Sequence, residues 1–242
     1  MLRVAGIDGC RLGWIAVLRD YEAQDAPPRH TLLQLPRFAE LLADPGISVL
    51  AVDMPIGLPE RAGAGGRGPE RCVRPLLGER QSSVFSVPAR AAVFCDDYGE
   101  ACAAALATSD PPRKVSRQAF HLFPKIREID AVMTPALEVR VHEVHPELAF
   151  WRLNGERAMS LPKKVKSAAS MPGIEERIAL LGRYGYDEAF LRQRPPSGAG
   201  RDDLIDACVN AVIAERIAQG LATPFPRAPE RDARGLRMAI WA

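Results

Sequence analysis

Long apolar segments are missing from this sequence of 242 residues. No run approaches the ~20 apolar residues that cross a bilayer, so we expect no membrane partner. The N-terminus has no basic segment followed by a long apolar stretch, which is the pattern of a signal peptide. A cytoplasmic location is therefore the expectation.

Cysteines and aromatic residues are few. The 5 cysteines are odd in number and form no C-x-x-C pair, so we expect reduced thiols rather than a zinc site or a disulfide framework. Aromatic residues make up 6% of the chain, and no stacking platform for single-stranded nucleic acid is evident. The G-x-S-x-G pattern is also missing, which disfavours a serine hydrolase.

What remains is the composition of a globular protein, 47% hydrophobic and 26% charged. We expect one domain over residues 1–242. The formal net charge of +2 is compatible with a polyanionic partner but gives it little support. Nothing in the composition indicates an oligomeric state.

Apolar runs and turn residues predict the order β-β-β-α-β in the first quarter of the chain. Residues 3–8 and 13–19 are expected to form a hairpin, and residues 30–35 a third strand. Residues 37–46 have helical spacing and end at a Pro-Gly stop signal. Residues 47–58 are apolar on both faces, as buried parallel strands are.

The next segment, about 59–135, predicts a mostly helical insertion over one end of the sheet. Asp97 and Ser116 are expected to cap two of its helices.

Strand alternation returns at 137–144, and helical spacing at 173–185. A strong helix follows, with Asp202 expected at its N-cap and Gly220 just past its end. The last apolar run is expected to add an edge strand.

Carboxylates end two of the predicted strands. Asp8 follows the first strand and Asp53 ends the fourth. If these strands are parallel neighbours, both side chains emerge at the same end of the sheet. Asp8 precedes Gly9, so a simple turn residue is an equally good interpretation. Asp53 interrupts a continuously apolar run, which favours a function.

The late helix carries Asp203, Asp206 and Asn210 on one narrow stripe, because they are spaced by three and four residues. Its remaining surface is apolar, and a buried carboxylate needs a partner. For Asp206, that partner is a basic side chain such as Arg216, or a divalent metal. Asp203 has the alternative of a capping role.

Glu143 lies in the later strand, and His145 and Glu147 follow it. Together with the aspartates, they predict an oxygen-rich cluster of the kind that Mg²⁺ and Mn²⁺ prefer. Two such ions can hold the attacking water and the leaving oxygen of phosphodiester hydrolysis. His145 precedes a proline, so an ordinary strand end is its alternative interpretation.

Five short motifs in this order resemble a known family. They are GIDGCRLGW, VDMPIGL, SSVFSVPAR, EVHPELAF and DDLIDACVNAVIAERIA. The chain is similar, from about Val4 to Gly220, to the bacterial and archaeal family called domain of unknown function 429, which is described as predicted nucleases of RNase H fold. The resemblance implies an α/β protein with an RNase H-like mixed five-stranded sheet, its first three strands antiparallel, flanked by helices.

The resemblance also implies a set of site residues. RNase H-like proteins carry acids on the first strand, on the fourth strand and on a late helix, and here Asp8, Asp53 and the pair Asp203 and Asp206 fill these places. Glu143 and Glu147 match the Glu-x-x-Pro-Glu pattern of the family, which is not a fixed part of the wider RNase H site. The insertion, with Ser82, Ser83 and Arg90, has no counterpart in minimal RNase H domains and is expected to select the substrate.

Three hypotheses follow. The first is a Mg²⁺- or Mn²⁺-dependent nuclease or phosphodiesterase acting on nucleic acid or another phosphoester, with Asp8, Asp53, Asp203 and Asp206 around the metal. The candidates for phosphate contacts are Arg71, Arg74, Arg80, Arg90, Lys163, Lys164 and Lys166. The second is a nucleotide-binding phosphotransferase of the actin and sugar-kinase group, which the single core and the missing Thr or Ser in the first turn disfavour. The third is a non-catalytic binding or regulatory protein whose carboxylates serve only as ion-pair partners.

Overall fold

The structure is a computed structural model that describes residues 2–22, 27–165 and 168–242. Its strands are β1 (Leu2–Cys10), β2 (Gly13–Tyr21), β3 (Arg29–Leu35), β4 (Val49–Val52), β5 (Ala62–Gly63), β6 (Ser109–Asp110), β7 (Val141–Glu143), β8 (Lys164–Val165), β9 (Ala168–Ala169), β10 (Pro224–Phe225) and β11 (Ile240–Trp241). Its helices are α1 (Phe38–Leu42), α2 (Gly68–Val73), α3 (Arg90–Val93), α4 (Tyr98–Ala107), α5 (Arg117–Val132), α6 (Pro146–Leu153), α7 (Met171–Gly182), α8 (Glu188–Arg192) and α9 (Arg201–Ala218). Stretches of 3-10 helix cover Arg74–Ser83 and Pro135–Val139.

A mixed five-stranded sheet forms the centre, in the order β3-β2-β1-β4-β7. β2 is antiparallel to both β1 and β3, and β4 is parallel to both β1 and β7. The predicted five-stranded mixed sheet and the β-β-β-α-β order are confirmed. The first three strands are not all antiparallel, however: β1 and β3 both oppose β2 and therefore run in the same direction.

The turn between β1 and β2 depends on one glycine. Gly13 has a φ of 125°, and a Cβ there would lie 2.2 Å from the carbonyl oxygen of Leu35. Only glycine adopts this backbone without strain and without that clash. The second strand therefore returns directly beside the first.

Helices cover both faces of the sheet. Ala5 and Ile7 of β1 pack in a core with α3, α4 and α5, and Val4 packs in a second core with α6, α7 and α9. Since all three residues are fully buried, β1 has no solvent-facing side.

The segment between β4 and β7 contains α2 to α5. Asp97 accepts hydrogen bonds from the backbone N–H groups of Gly99 and Glu100, and Ser116 accepts one from Ala119. Both predicted N-caps are confirmed. None of the helices formed by the described residues is long and apolar enough to span a membrane.

The C-terminal half differs from the predictions in three places. Residues 137–144 form strand only from Val141 to Glu143, because a 3-10 turn takes up the preceding residues. The predicted N-cap at Asp202 is wrong: α9 is capped at Gly200, whose N–H donates to Asp203 at 2.8 Å. The last apolar run supplies β11, which pairs with β10 and, among the described residues, pairs with the central sheet only through a bridge between Trp241 and Val144. The glycine that ends α9 is confirmed, since Gly220 has a φ of 70°.

Candidate metal centre

A cavity of about 560 Å³ lies at the carboxyl ends of β1 and β4. The first turns of α9, part of α5, the 3-10 stretch Arg74–Ser83 and the residues before β8 line it. This volume is within the usual range of small-ligand sites, ~300–1,000 Å³.

Three carboxylates meet on the wall of this cavity. Asp8 lies near the end of β1, Asp53 directly follows β4, and Asp206 is in the second turn of α9. Each has an oxygen within 4.8 Å of an oxygen of the other two. The N–H of Asp53 donates to the carbonyl of Ile7 at 3.0 Å, so the parallel pairing of β1 with β4 fixes the first two acids side by side.

A glycine on β1 lets α9 approach. A Cβ at Gly6 would lie 2.0 Å from the backbone N of Ala211 and 2.2 Å from the carbonyl oxygen of Ala207. Asn210 then donates from its side-chain amide to the carbonyl of Ile7 at 3.1 Å. Helix and strand are therefore in backbone contact, which carries Asp206 to the two strand acids.

The electrostatics of the three acids are unfavourable without a cation. Burial, followed by repulsion from Asp53 and Asp206, raises the pKa of Asp8 well above its usual range. Burial and the charge of Asp206 raise the pKa of Asp53 to about 8. Within the part of the chain that the structure describes, Asp8 and Asp53 form no ion pair. A cation placed among them would stabilise their charged forms.

Asp206 has a cationic partner, Lys163, whose Nζ contacts Oδ2. The sequence suggested Arg216 as a basic partner, and this is wrong: the Arg216 guanidinium donates to the carbonyl of Leu221. The other carboxylate oxygen of Asp206, Oδ1, is buried without a hydrogen bond. Burial raises the pKa of Asp206 to about 6 despite the ammonium beside it.

Asp203 also lines the cavity, one turn before Asp206. One of its oxygens caps α9 by accepting from Gly200, so the capping alternative describes part of its role. Asp202 pairs with Lys164 at 2.5 Å.

Glu143 and Glu147 are each held by a buried arginine. Arg67 contacts Glu143 at 2.5 Å, and Arg177 donates to both oxygens of Glu147 at 2.7 and 2.9 Å. Sequence reasoning missed both arginines, since neither lies near its partner in the chain. Glu147 lines the cavity, as does His145, whose pKa burial and Lys163 lower to about 4.

The candidate phosphate contacts divide into two groups. Arg80, Lys163 and Lys164 line the cavity. Arg90 is engaged elsewhere, by Asp130 and Asp232. Arg71 and Arg74 do not line it and donate to backbone carbonyls. Lys166 lies outside the described residues.

Comparison with known proteins gives one match. No curated protein and no solved structure matches the chain significantly. A family model described as protein of unknown function (DUF429) matches residues 6–231, a span that includes every acid of the site. The resemblance inferred from the motifs is thus confirmed, and the chain belongs to the DUF429 family.

Proposed function

We propose that the protein is a Mg²⁺- or Mn²⁺-dependent hydrolase of phosphodiester bonds, a nuclease or phosphodiesterase with an RNase H-like fold. The observation that carries this proposal is the meeting of Asp8, Asp53 and Asp206, whose carboxylate oxygens lie within 4.8 Å of one another. A donor set made only of carboxylates fits these hard cations and suits softer metals poorly.

The topology supports the fold assignment. One acid is on the first strand, one follows the fourth, and one is on the last long helix, as the resemblance implies for RNase H-like proteins. In this proposal residues 1–242 are a single domain, and the segment 59–135 is its insertion. Arg80, Ser82 and Ser83 from that segment line the cavity and would contact the substrate.

Six charged residues that line the cavity have proposed roles. Asp8, Asp53 and Asp206 would hold the ion, and the oxygen of Asp203 not used for capping would face the reacting group. A bound divalent ion supplies Lewis acidity and an activated water. Arg80 and Lys164 would offset the negative charge of a phosphate.

Glu143 and Glu147 would position the walls through their arginines rather than bind the ion. Arg67 and Arg177 have no exposed side-chain surface, so each glutamate satisfies a fully buried guanidinium.

One contact favours a second candidate, the non-catalytic binding protein. The ammonium of Lys163 already neutralises part of the cluster. In that case the acids would be a structural ion-pair network, and no divalent ion would bind to the protein.

A cleavage screen across structured and single-stranded nucleic acids and small phosphoesters, with Mg²⁺ or Mn²⁺, tests the proposal. We expect cleavage by the wild type and a loss of about 100-fold or more in Asp8→Asn and Asp53→Asn, because each substitution removes a charged ligand.

Asp96→Asn is the matched control, since the Asp96 side chain is 90% exposed and lies outside the cavity. Circular dichroism should give the same spectrum for all three variants and the wild type. Full activity in Asp8→Asn or Asp53→Asn would contradict the proposal.

A further inference from the structure

Lys163 is the one cation that contacts the three-carboxylate cluster among the described residues. Its Nζ is bonded to Oδ2 of Asp206. The side chain of Lys163 lines the same cavity as Asp8 and Glu147. Without a metal, this side chain is the counter-ion of the cluster.

That single charge neutralises the cluster only in part. The Asp206 side chain is only 4% exposed, and its buried oxygen Oδ1 accepts no hydrogen bond from the described residues. Asp8 and Asp53 form no ion pair within the described ranges. A divalent cation would stabilise the charged forms of all three acids, whose combined negative charge exceeds the single positive charge of the ammonium.

The backbone of Lys163 is fixed, whereas its side chain has room to move. The N–H of Ser170 donates to the Lys163 carbonyl at 2.8 Å, and Arg177 donates to the carbonyl of Leu161 at 3.0 Å. A Cβ at Gly173 would lie 2.0 Å from the carbonyl oxygen of Pro162, so α7 packs directly on this segment. The Lys163 side chain borders the open cavity and is 20% exposed.

We infer that Lys163 is a built-in competitor of the divalent ion, because its ammonium occupies Oδ2 of Asp206 and its positive charge opposes a cation bound among the three acids. This inference rests on the proposed function, because it requires the metal site. An ammonium displaced from Asp206 remains in the cavity, where it can meet the anionic group of a phosphoester. Metal occupancy is therefore set by Lys163 as well as by the ligands.

The neighbouring lysine provides a matched control. Lys164 is the next residue along the chain. It pairs with Asp202, which is not among the three clustered carboxylates. Removing either lysine deletes one positive charge near α9. Only the removal of Lys163 also frees a metal ligand.

Mn²⁺ titration of the metal-stripped full-length protein, followed by electron paramagnetic resonance and calorimetry, tests the inference. We expect Lys163→Met to bind Mn²⁺ about tenfold or more tightly than the wild type, because the competing ion pair is gone. Lys164→Met should change the affinity by less than about threefold, since the Lys164 side chain is 49% exposed and its partner Asp202 is not one of the three clustered acids. Lys163→Arg keeps the cation and should stay close to the wild type.

Failure of the competition by Lys163 and failure of the metal site give different experimental results. Equal Mn²⁺ affinity in wild type and Lys163→Met, or an equal gain in Lys164→Met, overturns the competition while the metal site stands. Absence of Mn²⁺ binding in both wild type and Lys163→Met overturns the proposed function and the inference with it. Thermal unfolding checks that each variant is folded, and Lys163→Gln replaces the Met variant if that variant is not.

Discussion

At the scale of single residues, Gly6 controls the geometry of the candidate centre. It is the point at which α9 lies on β1 without an intervening side chain. Asp206 and Asn210 are one helical turn apart on the face that meets this strand, so the spacing of helix and strand sets the distance from Asp206 to Asp8. The acids come together because a residue beside them has no side chain.

Gly6→Ala should therefore destabilise the protein by about 2 kcal/mol or more, since neither strand nor helix backbone can yield to the added carbon easily. Urea unfolding followed by circular dichroism measures this loss. Gly182→Ala, at the last residue of α7, is the control: apart from its chain neighbours and the backbone of its own helix, no atom of the described residues lies within 4 Å of the added carbon. Equal stability of Gly6→Ala and the wild type would mean that the backbone of α9 does not pack directly against Gly6 of β1.

At the scale of elements, α7 connects the site to the rest of the second core. Arg177 of this helix is fully buried, pairs with Glu147 of α6, and donates to the carbonyl of Leu161. One guanidinium thus joins α6, α7 and the segment that carries Lys163. A buried charge of this kind is stable only with its partner present.

Glu147→Gln should cost about 3–5 kcal/mol of unfolding free energy, because it leaves Arg177 buried without a full counter-charge. Glu175→Gln breaks another ion pair of α7, between Glu175 and Arg192. The side chain of Glu175 is 41% exposed and that of Arg192 is 44% exposed. This substitution should leave the stability nearly unchanged. Chemical unfolding of both variants makes the comparison, and similar losses would contradict the assigned difference.

The order of the first strands and helix could be predicted from the sequence, whereas the partner of Asp206 and the start of α9 could not. Hydrophobic runs and turn residues predicted the β-β-β-α-β order, and the family resemblance implied the five-stranded sheet. The parallel pairing of β1 with β4 brings Asp8 and Asp53 together as expected. Lys163 as the partner of Asp206 was not predicted, since ion pairs 43 residues apart leave no periodic pattern. The sequence predicts the N-cap at Asp202, but α9 begins earlier, where Asp203 accepts from the backbone N–H of Gly200.

At the scale of the whole molecule, buried histidines oppose the buried acids as the pH changes. Burial lowers the pKa of His30, His142 and His145 to about 4, with nearby cations contributing. Since an unfolded histidine titrates at about 6.5, their stabilisation is complete above that pH and is lost as the pH falls towards 4. The raised pKa values of Asp8 and Asp53 act in the opposite sense, so the total curve does not isolate either group.

A comparison of variants isolates the contribution of a single histidine, His142. Between pH 6.5 and pH 4 the wild type should lose about 2 kcal/mol relative to His142→Gln, because glutamine has no proton to take up. His121→Gln, at an exposed position of α5, is the matched control for the histidine-to-glutamine substitution itself. Urea unfolding at several pH values measures both differences. Parallel curves for the wild type and His142→Gln would contradict the depressed pKa of His142.

Anomalous diffraction from crystals soaked in Mn²⁺ shows whether Asp8, Asp53 and Asp206 hold a divalent cation. We expect an anomalous peak among the three carboxylates, with the Lys163 ammonium moved away from Asp206. Crystals of Asp53→Asn, soaked in the same way, should give a weaker peak or none. If the wild type gives no peak and Lys163 is still bonded to Asp206 at saturating Mn²⁺, these three acids are not a metal site.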